Sequence, residues 1–490
     1  MKLDELLKSV PHLGVRGNRD RQISGLAYDS RQVRDGYLFV AIPGERQDGV
    51  DFVEDAIRRG ASVIVSQQAR LFTREATHVQ VGHARRALAE AADAFYRHPS
   101  GRLRVLGVTG TNGKTTTAFM LRDILAAAGL APGLMGTVQY EIGSRVIPAS
   151  RTTPEASDVQ SLFDQMLHAG CGSAVMEVSS HALDQDRVYG VDFDAAIFTN
   201  LTHDHLDYHK NMEGYFEAKR KLFLGLGRRA KKSVAVINAD DPYGRRLAAD
   251  RDIAADKVTY GLEHEASVRA LDVVLDRQGS TFRVTSPWGE SRLRLNLLGR
   301  FNVENALAAY AASRALGVDE KRVVDVLANC RTVPGRLEEI PTGRGWRVFV
   351  DYAHTDDALS NVLKTLRAFT EGRLVVVFGC GGNRDQAKRP LMGKVAADLA
   401  DLVILTSDNP RREPPLQIIE EIRAGFGGRW QGEIVEDRAA AIAAAFEKAR
   451  DGDVILIAGK GHETTQECAN TVVLFDDRDV ARNLLRKESG

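Results

Sequence analysis

Residues 105–116 read Val105-Leu106-Gly107-Val108-Thr109-Gly110-Thr111-Asn112-Gly113-Lys114-Thr115-Thr116, an apolar strand that breaks into a glycine loop and resumes as the helical pattern Thr117–Ala128. A loop in that setting turns its backbone N–H groups and a helix N-terminus toward one anion. Lys114 neutralises that anion, and the Thr115 hydroxyl can ligate Mg²⁺. The common phosphate loop, G-x-x-x-x-G-K-[ST], requires glycine where this chain has Val108, so the loop here is the shorter Gly110-x-x-Gly113-Lys114-Thr115-Thr116. Glycines, lysine, hydroxyls, strand and helix all agree, and nucleoside triphosphate binding follows. A strand that feeds a loop and then a helix also belongs to a βαβ unit, which commits the chain to an α/β fold with a parallel sheet.

At 490 residues the chain is too long for one core, since a domain takes about 100–200 residues. Three α/β domains are expected: a small one over 1–100, a central phosphate-loop domain over 101–336, and a Rossmann-like one over 337–490. The first boundary is the His98-Pro99-Ser100-Gly101 cluster and the second is Val333-Pro334-Gly335-Arg336. Within the central part, Ser280–Leu297 alternates polar and apolar residues around a Pro-Trp-Gly turn and reads as a β insertion. Beyond residue 336, strand-like runs recur at Trp346–Val350, Leu374–Phe378, Leu402–Thr406 and Asp453–Ala458. Lys plus Arg (66) balances Asp plus Glu (66), so no overall field favours nucleic acid. No apolar run reaches the roughly 18 residues of a membrane span, and the acidic start Met1-Lys2-Leu3-Asp4-Glu5 is unlike a secretory signal, which points to the cytoplasm. Cys171, Cys330, Cys380 and Cys468 lie far apart and encode neither a disulfide framework nor a zinc site.

Glu177 ends an apolar run, which puts its carboxylate at the carboxyl edge of the sheet, where open α/β folds hold ligands. Beside a triphosphate it is most simply a magnesium ligand. His205 lies in a loop of carboxylates and histidines; for His203 and His209, in the same loop, a solvated histidine is the plain reading. Lys219 falls in Tyr215-Phe216-Glu217-Ala218-Lys219-Arg220-Lys221-Leu222-Phe223, an amphipathic helix with a basic side. Asn302 and Asn305 open a helical pattern; they can read an adenine edge, and Asn302 can equally be an N-cap.

Gly-Thr-Asn-Gly-Lys-Thr-Thr resembles the ATP loop of the Mur ligases and of folylpolyglutamate synthase. The likeness extends through Asp29-Ser30-Arg31, Thr152-Thr153-Pro154, Met176–His181, Asn200–Asp207, Phe301–Asn305, Pro334–Arg336, Asp351–His354, Asp408–Arg411 and Gly459–Glu463. It implies an ATP-dependent carboxylate–amine ligase. Its ATP would be held by Gly110, Thr111, Asn112, Gly113, Lys114, Thr115 and Thr116 with Asn302, Asn305, Arg336 and Asp351. Two Mg²⁺ would be shared among Thr115, Glu177, His205 and Lys219, the lysine carbamylated by CO₂. A UDP-muramoyl dipeptide would meet Ser30, Thr152, Thr153, Ser179, Gln185 and Arg187. Meso-diaminopimelate would meet Arg384, Asp408, Asn409, Pro410, Arg411, Gly459 and Glu463, with Arg411 gripping a carboxylate that lysine lacks.

The resemblance thus implies peptidoglycan precursor synthesis by a monomer that takes small-molecule substrates and binds no nucleic acid. The chain departs from the family pattern at Glu45-Arg46-Gln47, at Arg151, and at Asp356, where Asp-Tyr-Ala-His-x-Pro-Asp would have proline. Two other readings are a folylpolyglutamate synthase-like ligase and a non-ligating nucleotide switch. The separate first domain and Asp408–Arg411 oppose the first. Against a GTPase switch, the dipeptide Asn-Lys of a guanine-reading motif is absent from the sequence.

Overall fold

The computed structural model describes residues 1–44, 47–69, 75–229, 231–469 and 471–487. Its strands form three separate α/β sheets and one short hairpin. The first sheet orders Gly14–Arg16, Thr77–Gln80, Ala61–Ser66, Tyr37–Val40 and Gly25–Ala27, all parallel but for Gly14–Arg16. Val63, Ile64 and Val65 are all buried, as an unbroken apolar run must be in a sheet covered on both faces.

The central sheet has eleven strands. Its middle is parallel, with Arg104–Thr109 between Ser173–Glu177 and Ala195–Phe198. Antiparallel strands close both edges, and the expected β insertion is one of these edges, as Gly279–Ser286 and Gly289–Leu295. On one face the helices Lys114–Ala127 and Arg300–Ala315 share a core with Leu106, Val108 and Ile197. The other face is covered by Ala156–His168 and Met212–Leu224. Register does the functional work: Val108 lies opposite Glu177, and Thr109 opposite Phe198. The glycine loop, Glu177 and Thr199-Asn200 therefore leave the sheet side by side at its carboxyl edge.

The third sheet orders Glu338–Ile340, Arg347–Asp351, Val454–Ala458, Leu374–Phe378, Leu402–Leu405 and Glu433–Ile434. Its carboxyl edge is braced from inside by Arg438, which is 1% exposed. The guanidinium grips Asp477 at 2.7 and 2.8 Å and donates to the Ala458 and Ser407 carbonyls at 2.9 and 3.3 Å. Those carbonyls immediately precede Gly459 and Asp408. No helix among the described residues is long and apolar enough to cross a membrane.

Asp477→Ala would strand a buried guanidinium, a defect that costs about 3–5 kcal/mol. Amide hydrogen exchange should speed up along Val454–Ala458; unchanged protection there would show that Arg438 does not brace the strand.

Candidate functional site

Gly110 and Gly113 take φ of 149° and 85°. A Cβ on them would lie 1.9 Å from Thr199 Oγ1 and 2.3 Å from Asn305 Oδ1, so no other residue fits either position. Lys114 Nζ donates to the Gly110 and Thr111 carbonyls at 3.0 and 2.7 Å, and Lys219 Nζ donates to the same Gly110 oxygen at 2.8 Å. Two amines thus crowd one carbonyl. Lys219 is 1% exposed, with the Tyr215 ring 4.6 Å away. Burial first, and the Lys114 charge second, push its pKa well below the usual lysine value. Lys221, two residues on, is an exposed partner of Asp184.

Glu177 is fully buried. Its carboxylate accepts from Thr115 Oγ1 at 3.0 Å and from Thr137 N and Oγ1 at 2.8 and 3.1 Å. All three donors are neutral, and among the described residues no cationic side chain lies within ion-pair distance of it. A buried carboxylate in that state calls for a cation. A carboxylate with a hydroxyl beside it suits Mg²⁺, which takes one or two protein oxygens and completes its shell with water and phosphate. No group of three His, Cys, Asp or Glu side chains converges to hold a metal unaided among the described residues. His205 is at φ 55°, 3.4 Å from Asp204, and burial lowers its pKa to about 3. It is therefore a neutral imidazole able to lend a lone pair.

A cavity of about 280 Å³ runs from the loop residues Thr111–Thr116 past Glu177 and His205 to Asn302, Asn305, Arg336 and Asp351. Thr152 and Ser179 also line it, whereas Lys219 lies outside the lining, beneath the loop. Asn302 is not an N-cap, because Gly299 occupies that position; its amide donates to Leu298 O and accepts from Asn305 Nδ2 at 2.8 and 3.2 Å. Arg336 Nη2 reaches Thr115 Oγ1 at 3.0 Å, and its guanidinium lies over the Tyr352 ring at 4.4 Å. The Asp351 oxygens accept from the N–H groups of Leu337 and Ala353 at 2.5 and 2.7 Å. Asp351 thus clamps the chain just beyond Arg336, and burial raises its pKa to about 6.

Two further clusters flank the cavity. In the first, Thr153 Oγ1 donates to Glu177 O and accepts from Ser179 N, at 2.8 and 3.0 Å. Arg187 donates to Thr153 O and to Gln185 Oε1 at 3.0 and 2.6 Å. Arg85, Arg151 and Arg187 all face Glu155, at 3.5, 2.8 and 3.1 Å. Ser30 does not join this cluster; its hydroxyl is engaged with Asp55. Gln47 is exposed, and Glu45 and Arg46 lie outside the described residues. In the second cluster, Asn409 Nδ2 donates to Glu463 at 2.8 Å, and the fully buried Lys460 donates to both side chains at 3.2 and 3.0 Å. Asp408 accepts from Asn409 N at 2.7 Å and lies close against Gly459. Pro410 packs under Gly382, and Arg384 is exposed. Arg411 is already engaged, with Nε 2.6 Å from Glu467.

Family models cover this frame segment by segment: Mur ligase family, catalytic domain, over 22–96; Mur ligase middle domain over 108–313; and Mur ligase, glutamate ligase domain, over 335–461. The UDP-N-acetylmuramoyl-L-alanyl-D-glutamate–2,6-diaminopimelate ligase of Solibacter usitatus is 44% identical over 489 residues, 99% of this chain and 98% of that one. The chain belongs to the Mur ligase family. The Geobacillus kaustophilus protein of the same name is 45% identical over 491 residues, covering 99% and 100% of the two chains. A solved structure under that name shares 33% identity and a TM-score of 0.70, over 100% and 99% of the two chains.

Several residues of this Mur ligase site escape a sequence reading because their partners come from another sheet. Asn112 Nδ2 donates to Asp357 at 2.9 Å, His203 pairs with Asp385 at 3.2 Å, and His354 lies 3.8 Å from Asp204. Burial alone would raise the pKa of Asp204; the surrounding cations Lys388 and Lys114, with His205 and His354 where protonated, outweigh it and hold the group below the usual carboxylate range. His203 and His209 are not solvated loop histidines. His209 stacks on Tyr215 and bonds Ser180 at 2.9 Å, because the loop folds back against the helix that carries Lys219. Thr137 had one available signal, its place at a strand end in a parallel sheet.

Glu304 lines the cavity beside Asn305, and burial, reinforced by Asp240 and Asp357, raises its pKa to about 7. A raised carboxyl is neutral below that value and ionised above it. Filling the cavity with an anionic nucleotide therefore favours the protonated form. ATP affinity measured by calorimetry should weaken by about three- to tenfold from pH 6 to pH 8, and Glu304→Gln should flatten the profile. An unchanged slope in the variant would remove Glu304 from the effect.

Proposed function

We propose that this ligase joins the D-glutamate carboxylate of UDP-N-acetylmuramoyl-L-alanyl-D-glutamate to an amine of meso-diaminopimelate, at the expense of ATP, in peptidoglycan precursor synthesis. The observation that carries the reaction class is the cavity in which Lys114, Glu177 and Arg336 meet at the carboxyl edge of the central sheet. The acceptor and amine are supported by relatives that bear this activity in their names and match from end to end.

In the first step a carboxylate oxygen attacks the γ-phosphorus, the bond to the bridging oxygen breaks, and ADP leaves. The amine nitrogen then adds to the acyl phosphate carbon and loses a proton, and the tetrahedral intermediate expels phosphate. The protein's share is positioning and charge neutralisation. Lys114 exchanges its loop carbonyls for phosphate oxygens, and Arg336 meets the same charge from the third sheet. Asn302 and Asn305 face the base, with Asp351 on the ribose side. Thr115 and Glu177 would hold Mg²⁺, which when bound screens the phosphate charge from the incoming carboxylate.

Lys219 is suited to carbamylation because its buried amine is readily neutral. Its nitrogen adds to CO₂ and releases a proton, which leaves an anion that could share a second Mg²⁺ with His205. The segment 1–100 would take the uridine end, 101–336 the nucleotide and dipeptide, and 337–490 the amino acid. Action as a monomer in the cytoplasm, where ATP and nucleotide-linked substrates are available, belongs to the same reading.

Lys219→Ala should be nearly inactive and partly rescued by acetate, while Lys221→Ala stays close to wild type in steady-state ligation. Equal losses would indicate a generic basic helix. A matrix of UDP-linked acceptors and amino acids, read by phosphate release, should show use of meso-diaminopimelate over L-lysine by roughly 10⁴. Arg411→Ala should lose diaminopimelate affinity with ATP binding spared; comparable efficiency with both amino acids in the wild type would refute the assignment.

A further inference from the structure

Arg411 is held more tightly than a surface arginine beside a proline would be. Its backbone sits at φ 53°, a left-handed conformation uncommon for a side-chain-bearing residue. The strand Thr465–Cys468 pins it there. Arg411 N donates to Glu467 O at 3.0 Å, Ala469 N donates to Arg411 O at 2.5 Å, and Arg411 forms a parallel bridge with Cys468. The side chain is fixed from the same strand, with Nε 2.6 Å from a Glu467 carboxylate oxygen, while Nη1 donates to Gly382 O at 3.0 Å.

A guanidinium has five N–H donors in a rigid planar fork. Glu467 takes the Nε side and Gly382 takes one hydrogen of Nη1. Among the described residues no hydrogen bond engages Nη2, so the Nη end of the fork can still bind a carboxylate. Without Glu467 a single bond, from Nη1 to Gly382 O, would orient the guanidinium, and its free end would swing about that bond.

We propose that Glu467 is the positioning residue that aims Arg411 at the far carboxylate of a diamino-dicarboxylate substrate, and so sets discrimination against a diamine with a single carboxylate. The inference rests on Arg411 meeting that carboxylate, as proposed above. Glu467 acts through the ion pair at Nε, so its negative charge is the essential feature.

The test is steady-state ligation by the full chain with meso-diaminopimelate and with L-lysine as the amine. Glu467→Ala should raise KM for diaminopimelate about tenfold or more, with kcat and the KM for ATP within about twofold of wild type. Efficiency with L-lysine should hold, so the preference between the two amines shrinks by the same factor. Glu467→Gln, which keeps the shape but removes the charge, should raise the same KM by a factor of the same order as Glu467→Ala. The double variant with Arg411→Ala should be no worse than Arg411→Ala alone.

An unchanged or lowered KM in Glu467→Ala would overturn the proposal, the latter by showing that Glu467 competes with the substrate. A Glu467→Gln variant indistinguishable from wild type, or a parallel rise in the KM for ATP, would also overturn it. If Arg411→Ala leaves diaminopimelate KM untouched, the reading of Arg411 itself fails. If only Glu467→Ala does so, the positioning role alone fails.

Discussion

Two lysine amines share the carbonyl oxygen of Gly110, and the chemistry of the site follows from that crowding. Both cannot keep a full charge at that distance in a buried setting, where like charges interact strongly. Lys114 stands in the cavity lining, where a phosphate can compensate it. Lys219 lies beneath the loop without an anionic partner within ion-pair range among the described residues. Burial, with the Lys114 charge, pushes the inner amine well below the usual lysine range. That shift is what the carbamylation proposed for Lys219 would require.

The loop, Glu177 and Arg336 also explain how separate sheets form one reaction centre. Thr115 gives its hydroxyl hydrogen to Glu177 and accepts from Arg336, so one hydroxyl joins the sheet edge to the chain that enters the third sheet. Asn112 with Asp357, and His203 with Asp385, add two more links across the same gap. These are polar contacts of modest individual strength. Contacts of that kind can open and re-form as substrates enter, which a fused apolar core could not allow.

The edge of the third sheet is built differently, on arginines sunk into it. Arg438 bonds the carbonyls before Asp408 and Gly459. Arg389, fully buried, grips Glu413 and Glu421 and reaches Gly381 O. Each ties two loops at the carboxyl edge to a helix behind them. A buried guanidinium is costly to desolvate, and the return here is positional, because loops that must present charged side chains at set angles are held by several directed bonds at once.

The sequence alone determined whatever depends on neighbours along the chain. The strand–loop–helix run announced the phosphate site, the βα rhythm announced parallel sheets, and the end of an apolar run put Glu177 at a sheet edge. Those are local facts, set by hydrophobic periodicity and backbone geometry. Tertiary structure decided the rest. Lys219 and Lys221 are both basic residues of one helix, and only the packing of that helix against the glycine loop buries the first and exposes the second. Asn302 could be a cap or a cavity residue until Gly299 took the cap. Asp351 carries a carboxylate whose oxygens turn out to bind two backbone N–H groups. His209 is stacked and bonded, though its polar neighbours suggested solvent. In each case the deciding partner lies elsewhere in the chain, and its distance is set by how helices and sheets pack, which no local pattern encodes.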